Sequence, residues 1–234
     1  MPTLYNSTGS KDGSVYRYIV GSWSAVRSAG SGGAYNSTWG SHFMRINRFS
    51  GRGAVVTAIY RSPLYFDTSG ISDAPASATL KLYIDNINEE NPLIAVRRSG
   101  NGSFNITGYS TMVGDGTAPT ASTQLAASDG SGAGTLASVS GLAYSGAITG
   151  YSAGYVDIPL NATALANMAS LDDFSIMIMN YNYDYLDDDF PLGGTQLDIR
   201  HYATEETGTS KDPYIDYTVA TAVTHNATFF GTNF

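Results

Sequence analysis

The sequence predicts an all-β protein, specifically a β-sandwich with one short helix, and three observations support this. The composition is typical of a turn-rich chain, with 26 Gly and 17 Tyr and only 14% charged residues, against about 25% in an average domain. Residues 54–85 contain two apolar strand patterns. Further short apolar segments alternate with Gly, Ser and Asn clusters and give about eight to ten strands, a number typical of sandwiches.

The two strands within residues 54–85 are joined by a turn-rich connection. Residues 54–66 are rich in β-branched and aromatic side chains, which fit a pleated, half-buried surface. From Asp67 to Ala78 the chain supplies Ser, Gly, Asp and Pro, which favour turns. Apolar and polar residues then alternate up to Asp85, with Tyr83 in the polar phase. This period of two predicts a strand with one face buried and the other in water.

The remaining elements follow from the same signals. The one predicted helix covers residues 161–170, where Asn161 can cap the first turn and Leu165 and Met168 share a face. Residues 174–180 are mostly apolar, which predicts a strand buried on both faces or nearly so. Other strands are predicted at residues 15–26, 42–49, 93–98, 155–160, 197–202 and 214–219.

We expect one domain over residues 1–220. Within it, residues 110–154 lose periodicity and fill with Gly, Ala, Ser and Thr, which predicts a long Gly/Ser-rich insertion that covers part of the surface. Scattered apolar residues predict short edge strands in this insertion, at Leu125, Leu136, Val139, Leu142 and Ile148.

Residues 221–234 form a separate C-terminal tail that contains three phenylalanines. Exposed aromatic side chains lower solubility, so we expect Phe229, Phe230 and Phe234 to be buried against this domain or a neighbouring subunit. Buried aromatic anchors are common at interfaces, which favours the neighbour.

Charge and composition exclude several classes of protein. The formal charge is −8 with no compensating basic run, so we expect no nucleic-acid partner. The chain has no Cys, which excludes disulfides and thiolate metal sites. No segment approaches the roughly 20 apolar residues of a membrane span. The first residues lack the basic and apolar regions of a secretory signal, so we expect synthesis in a cytoplasm.

Residues 180–189 concentrate oxygen-bearing side chains in one predicted loop. Calcium takes six to eight oxygen ligands, and this segment offers several, although it lacks the spacing and turn glycine of an EF-hand. A solvated acidic loop with Asx turns is the favoured alternative. The candidate calcium ligands are Asn180, Asn182, Asp184, Asp187, Asp188 and Asp189.

Aromatic residues suggest a carbohydrate site in two places. Tyr181, Tyr183 and Tyr185 alternate with polar residues in the acidic segment, and Tyr35 and Trp39 lie in a Gly-rich segment. Exposed rings can stack on sugars while neighbouring polar groups fix their orientation. The alternative is that these rings belong to an ordinary sandwich surface or interface, and it is favoured because isolated surface aromatics are common.

Motifs for catalysis are lacking in the sequence. His42, His201 and His225 are scattered without zinc spacing, and no Ser lies in a GxSxG pattern. A glycan-cleaving enzyme stays open only because its paired carboxylates are defined by separation in space. We therefore expect a non-enzymatic protein.

Several segments together resemble a known family. RSPLYFDTSGI, DAPASATLKLYI and IAVRR are followed by YVDIPLNATAL, FSIMIMN and HYATEETGTSKDPYIDYTV. In this order they resemble the DNRLRE or disaggregatase-related modules over about two thirds of the chain. That family has a jelly-roll β-sandwich fold and includes carbohydrate-binding modules, and similar modules occur in phage and virus structural proteins. The resemblance implies an antiparallel jelly roll.

Two main functional hypotheses follow. The first is a virion structural protein, such as a phage capsid decoration or tail-associated protein, made in the host cytoplasm and acting through contacts with copies of itself or with capsid or tail proteins. The second is an extracellular carbohydrate-binding module of a cell-surface protein, with or without calcium. Its binding residues would be Tyr35, Trp39 and the segment 181–189.

Overall fold

The computed structural model describes residues 2–6, 14–27, 34–36, 41–51, 53–98, 142–193, 195–202 and 210–220. Within these ranges the chain is mostly antiparallel β-structure in a curled sheet, which confirms the predicted all-β class. The eleven described strands are β1 Thr3–Tyr5, β2 Ser14–Val20, β3 Ala34–Asn36, β4 Ser41–Gly51, β5 Ala54–Asp67, β6 Ser77–Ile87, β7 Leu93–Arg97, β8 Gly154–Pro159, β9 Asp173–Asn180, β10 Leu197–Tyr202 and β11 Tyr214–Thr218.

The predicted helix is confirmed as α2, Ala162–Ser170. The Asn161 side chain accepts a hydrogen bond from the Ala164 backbone N–H, so Asn161 is the N-cap. Pro159 ends β8, as expected for a residue that cannot donate a ladder hydrogen bond.

The prediction of a strand over residues 15–26 was wrong for the second half of that segment. β2 ends at Val20, and a short helix, α1, covers Trp23–Arg27. Ser22 explains the change, because its hydroxyl accepts a hydrogen bond from the Ala25 N–H at 3.2 Å, as a helix cap does. The described residues therefore contain a second short helix beside the predicted one.

Strand β5 connects the two parts of the curled sheet. Up to Arg61 it pairs with β2 and β4, and from Ser62 onwards it pairs with β9. Pro63 follows this exchange of partners directly, where a residue without a backbone donor is tolerated. One part has the strand order β1-β11-β6-β10-β4-β5-β2-β3, with β8 on β6, and the other consists of β5, β9 and β7.

The main core lies between β6, β8, β10 and β11 on one side and β7, β9 and the end of β5 on the other. The alternation in β6 is confirmed, because Leu80, Leu82 and Ile84 are fully buried and face this core. Strand β9 is buried along nearly its whole length, also as predicted. Helix α2 adds Ala164 and Met168 to the same cluster.

The last part of the insertion belongs to the core. Ile148 pairs with Leu93 and Ala143 with Val96 through isolated bridges, so the short edge strands predicted around Leu142 and Ile148 are reduced to single paired residues. Tyr144 is fully buried and stacks on Phe174 at a centroid distance of 5.0 Å. The other predicted edge positions, Leu125, Leu136 and Val139, lie outside the described residues.

Candidate functional site

The predicted acidic loop folds as one turn of π-helix over Tyr181–Tyr185. Asn180 caps it, because its side-chain oxygen accepts a hydrogen bond from the Tyr183 N–H at 2.8 Å. The Leu186 N–H closes the turn on the Tyr181 carbonyl at 2.9 Å. The favoured alternative of a solvated acidic loop is therefore wrong for Asp184 and Tyr185, which are buried, whereas Asp188 and Asp189 are exposed.

Asp184 is buried because arginines surround it. The Arg61 guanidinium donates to both carboxylate oxygens of Asp184, and the side chains are 0% and 1% exposed. The Arg27 Nε donates to the Asp184 carbonyl at 2.8 Å, and Arg27 Nη1 lies 3.1 Å from a carboxylate oxygen of Asp187. Burial raises the pKa of Asp187, and Arg27 opposes this rise. The network joins β5, α1 and the π-turn.

Four of the six predicted calcium ligands, Asn180, Asp184, Asp187 and Asp189, are thus bonded to other protein groups. Besides the pairs just described, Asp189 accepts from Arg48 Nη1 at 3.0 Å. Asp188 points to solvent and Asn182 is half-buried. Among the residues that the structure describes, no three His, Asp or Glu side chains are grouped so that they could hold a metal ion. Arginines are the partners of three of these carboxylates, those of Asp184, Asp187 and Asp189.

The predicted carbohydrate-binding tyrosines mostly stabilise this turn. Tyr185 is only 7% exposed and stacks on Tyr181 at 5.6 Å. Tyr183 packs edge-on against Phe190 and Trp23. Tyr35 pairs with Val15 between β3 and β2. The remaining predicted contact residues, Trp39, Phe229, Phe230 and Phe234, lie outside the described residues.

A different set of aromatic residues forms a continuous surface on the outer face of the sheet, opposite the main core. We call this set the tyrosine row; in order of contact it comprises Tyr5, Tyr214, Tyr155, Tyr83 and Tyr202. Successive ring centroids lie 5.9, 5.4, 5.1 and 5.5 Å apart. The first contact is tilted and the other three are T-shaped. Tyr5 and Tyr155 are 57% and 40% exposed, so the row is open to solvent.

Lys211 completes the row at one end. Its Nζ lies 4.3 Å from the centroid of Tyr202 and 5.1 Å from that of Tyr83, within cation–π range. Lys211 also donates to the Tyr202 hydroxyl at 3.2 Å. The Tyr155 hydroxyl donates to the Ser210 carbonyl at 2.9 Å. These bonds attach the segment before β11 to the outer face.

Alternation along each strand places these tyrosines on one face. Tyr83 lies between buried Leu82 and Ile84, and Tyr155, Tyr214 and Tyr202 each lie beside a buried residue. The sequence therefore contained the signal, tyrosine in the polar phase of several strands, and Tyr83 was predicted on the wet face. The sequence did not reveal the strand order, and the strand order brings β1, β11, β6, β8 and β10 together.

Paired charges surround the tyrosine row. Lys81 donates to Asp157 at 2.6 Å, and Arg200 donates to Asp85. Thr3 donates to Asp216 at 2.7 Å beside Tyr5. Lys81 and Arg200 are thus each neutralised by a carboxylate on the same face, whereas Asp216 is bonded to the uncharged Thr3 hydroxyl.

A second group of aromatics continues the same outer face. Tyr16 and Tyr60 stack at 4.7 Å, and the Arg45 guanidinium lies over Tyr60 at 5.2 Å and over Phe43 at 4.7 Å. Arg45 also donates to Asp198 at 2.6 Å. Asp198, Arg200 and Tyr202 alternate along β10 and so share one face. The outer face is thus continuous from β2 to β8.

The two described histidines lie inside the protein. His201 Nδ1 donates to the Tyr202 carbonyl at 2.8 Å, which leaves Nε2 to accept from the Ser62 hydroxyl at 2.6 Å. The His42 ring lies 6.0 Å from that of His201. All three side chains are fully buried, so this Ser–His pair is a hydrogen bond of the interior and is closed to substrates.

Comparison with known proteins adds no assignment: no protein-family model matches the chain, and none of the curated proteins matches it. In the described part of the chain, neither helix has the length and apolar character needed to cross a membrane.

Proposed function

We propose that this chain is a non-enzymatic assembly protein that acts through protein–protein contacts. Its most concrete form is a virion structural protein, such as a phage capsid decoration or tail-associated protein. The virion setting comes from the family resemblance of the sequence. The contact surface that we propose is the outer face of the sheet.

The tyrosine row is the observation that carries the proposal. Tyrosine is enriched at protein interfaces, where its ring supplies apolar area and its hydroxyl a polar tip. Five contacting tyrosines with a lysine over two of them form a preordered patch, because their rings already hold one another in position. A partner that binds such a patch needs to order few additional side chains.

The orientation of the rings favours protein over sugar as the ligand. A sugar stacks on an open ring face, whereas a T-shaped contact places the edge of one ring against the face of the next. The contacts of Tyr83 with Tyr155 and Tyr202 are both of this kind. The hydroxyls of Tyr155 and Tyr202 are also bonded within the chain.

We also propose that the fold is a jelly-roll β-sandwich. Three features support this assignment: the exchange of β5 between two sheet partners, the core enclosed between two parts of the sheet, and the exclusively antiparallel pairing of the described strands. A β-sandwich with one aromatic outer face is a suitable module for lateral assembly.

A carbohydrate-binding module is the second candidate, and one observation favours it. Tyr5 and Tyr155 are the most exposed members of the row, and they lie beside Asp216 and Asp157, whose carboxylates can accept hydrogen bonds from sugar hydroxyls. This surface differs from the carbohydrate site predicted around Trp39 and residues 181–189.

The test is the mass in solution, by light scattering across concentration, of the full chain and of a version that ends at Ala220. We expect the full chain to form a defined oligomer or to bind a structural protein of the same particle. A clean monomer that binds no such protein but binds sugars on a glycan array would replace this proposal with the second candidate.

A further inference from the structure

We propose that the partner of the outer face is a second copy of this chain, docked through the tyrosine row. This inference rests on the proposed assembly function and adds the identity of the partner. It places Tyr155 and Tyr5 in the contact, since they are the most exposed members of the row.

The charge distribution supports a second copy. The chain has a formal charge of −8, so two copies repel each other over most of their surfaces. On the outer face, four basic residues lie with five acidic ones, so most of the excess of negative charge lies elsewhere in the chain. The basic residues are Arg45, Lys81, Arg200 and Lys211, and the acidic ones are Asp85, Asp157, Asp198, Asp212 and Asp216. Identical acidic chains can therefore meet on this face with less repulsion than elsewhere on their surfaces.

The pattern of opposite charges also suits a two-fold contact. In such a contact the same patch binds itself, so each patch must carry both the donors and the acceptors. The outer face has this property, because cations and carboxylates lie side by side on it in the pairs Lys81–Asp157 and Arg200–Asp85. A uniformly charged patch would suit a different partner of opposite charge.

The width of the outer face is similar to that of a standard interface. From Tyr16 on β2 to Tyr155 on β8 it crosses β5, β4, β10 and β6, which is about 24 Å at a strand spacing of about 4.8 Å. A standard interface covers about 800 Å² on each partner, which corresponds to a patch of similar width.

The test introduces an acidic group into the row of the full-length chain. In Tyr155→Glu, two copies would bring unpaired carboxylates into the aromatic contact, and Tyr5→Glu repeats the test on a short terminal strand. Leu192→Asp is the matched control, because Leu192 is 51% exposed and lies in the turn after Phe190, away from the row. Far-UV circular dichroism and the thermal midpoint of each variant verify that it folds.

Sedimentation equilibrium then compares the self-association of all four proteins. We expect the native chain and Leu192→Asp to dimerise alike, and a folded Tyr155→Glu or Tyr5→Glu variant to associate at least about 30-fold more weakly, as for the loss of a hot spot. An oligomer that both tyrosine variants leave unchanged would overturn this inference while the assembly function survives. A native chain that is monomeric at every concentration overturns it as well, and if it also binds no structural protein of the particle, the proposed function fails with it. Loss of glycan binding in the tyrosine variants would instead assign the row to a sugar.

Discussion

At the scale of single residues, the most demanding arrangement is the buried pair of Arg61 and Asp184. Neither side chain reaches solvent, so each charge depends on the other for compensation. The pair joins the middle of β5 to the π-turn, and Arg27 adds α1 through the Asp184 carbonyl. A polar cluster of this kind orients three elements relative to one another.

Asp184→Asn should therefore be strongly destabilising. The change leaves the Arg61 guanidinium buried without its counter-charge, and breaking a buried pair in this way costs about 3–5 kcal/mol. Urea unfolding gives the free energy directly. Asp188→Asn is the control, because Asp188 is exposed and a surface change of this kind alters stability by no more than about 0.5 kcal/mol. Equal effects of the two changes would contradict the role assigned to the buried pair.

The buried histidines predict a loss of stability in mild acid. Burial lowers the pKa of His42 to about 3, with a further contribution from His201, and burial lowers the pKa of His201 to about 4. In the unfolded chain both pKa values return to about 6.5, so the unfolded state binds more protons between these limits. The contribution of the two neutral histidines to the free energy of unfolding is therefore fully present above about pH 6.5, and it is lost as the pH falls towards 4.

The free energy of unfolding should change with pH by up to about 1.4 kcal/mol per pH unit for each histidine. Urea unfolding between about pH 7 and pH 5 measures it before most carboxylates are protonated. His42→Phe keeps a ring beside His201 and should remove about half of the slope. A free energy of unfolding that stays constant over this range would show that the histidines are not buried as neutral groups.

At the scale of elements, Asn161 connects α2 to the end of the insertion. Its side-chain oxygen caps the helix by accepting from the Ala164 N–H, and its Nδ2 donates to the Ala143 carbonyl at 2.7 Å. Ala143 in turn pairs with Val96 in β7. One side chain thus stabilises the start of a helix and holds the segment beside it.

Asn161→Ala should lower the free energy of unfolding by about 1–2 kcal/mol, because it removes the cap and the bond to Ala143 together. Asn161→Asp keeps an oxygen for the Ala164 N–H but has no donor for Ala143, so its effect should be smaller. Thermal and urea unfolding of the two variants separate the contributions. If Asn161→Asp were as damaging as Asn161→Ala, the cap would contribute nothing.

At the scale of the whole molecule, two apolar clusters share the same strands. The main core contains Leu64 of β5 and Ile199 of β10, and a second cluster around Trp23 contains Ile59 and Leu197 of those strands. Because β5 and β10 contribute to both clusters, we expect the two clusters to unfold together.

A single cooperative unfolding transition is the expected result. Trp39→Phe leaves Trp23 as the sole tryptophan, so its fluorescence reports on the second cluster, while far-UV circular dichroism reports on the sheet. The two urea midpoints should coincide. Separate midpoints would mean that the second cluster unfolds independently of the main core.

Most of the local elements of this protein could be predicted from its sequence. The alternation in β6, the mostly apolar β9 and the capped helix α2 were all predicted, because period, composition and caps act over a few neighbouring residues. It missed α1, where Trp23 and Val26 lie within a segment that also fits a strand. It also missed the π-turn, whose burial depends on Arg61, distant in sequence.

Which residues contact each other depends on the long-range pairing of the strands. Strand order brings Tyr5, Tyr83 and Tyr214 into one row although they lie far apart in the chain. It also pairs Asp184 with Arg61, so that a carboxylate predicted as a calcium ligand became part of an internal ion pair. The physical reason is that strand alternation determines which side of a strand a residue faces, whereas long-range pairing and burial determine which residues lie next to it.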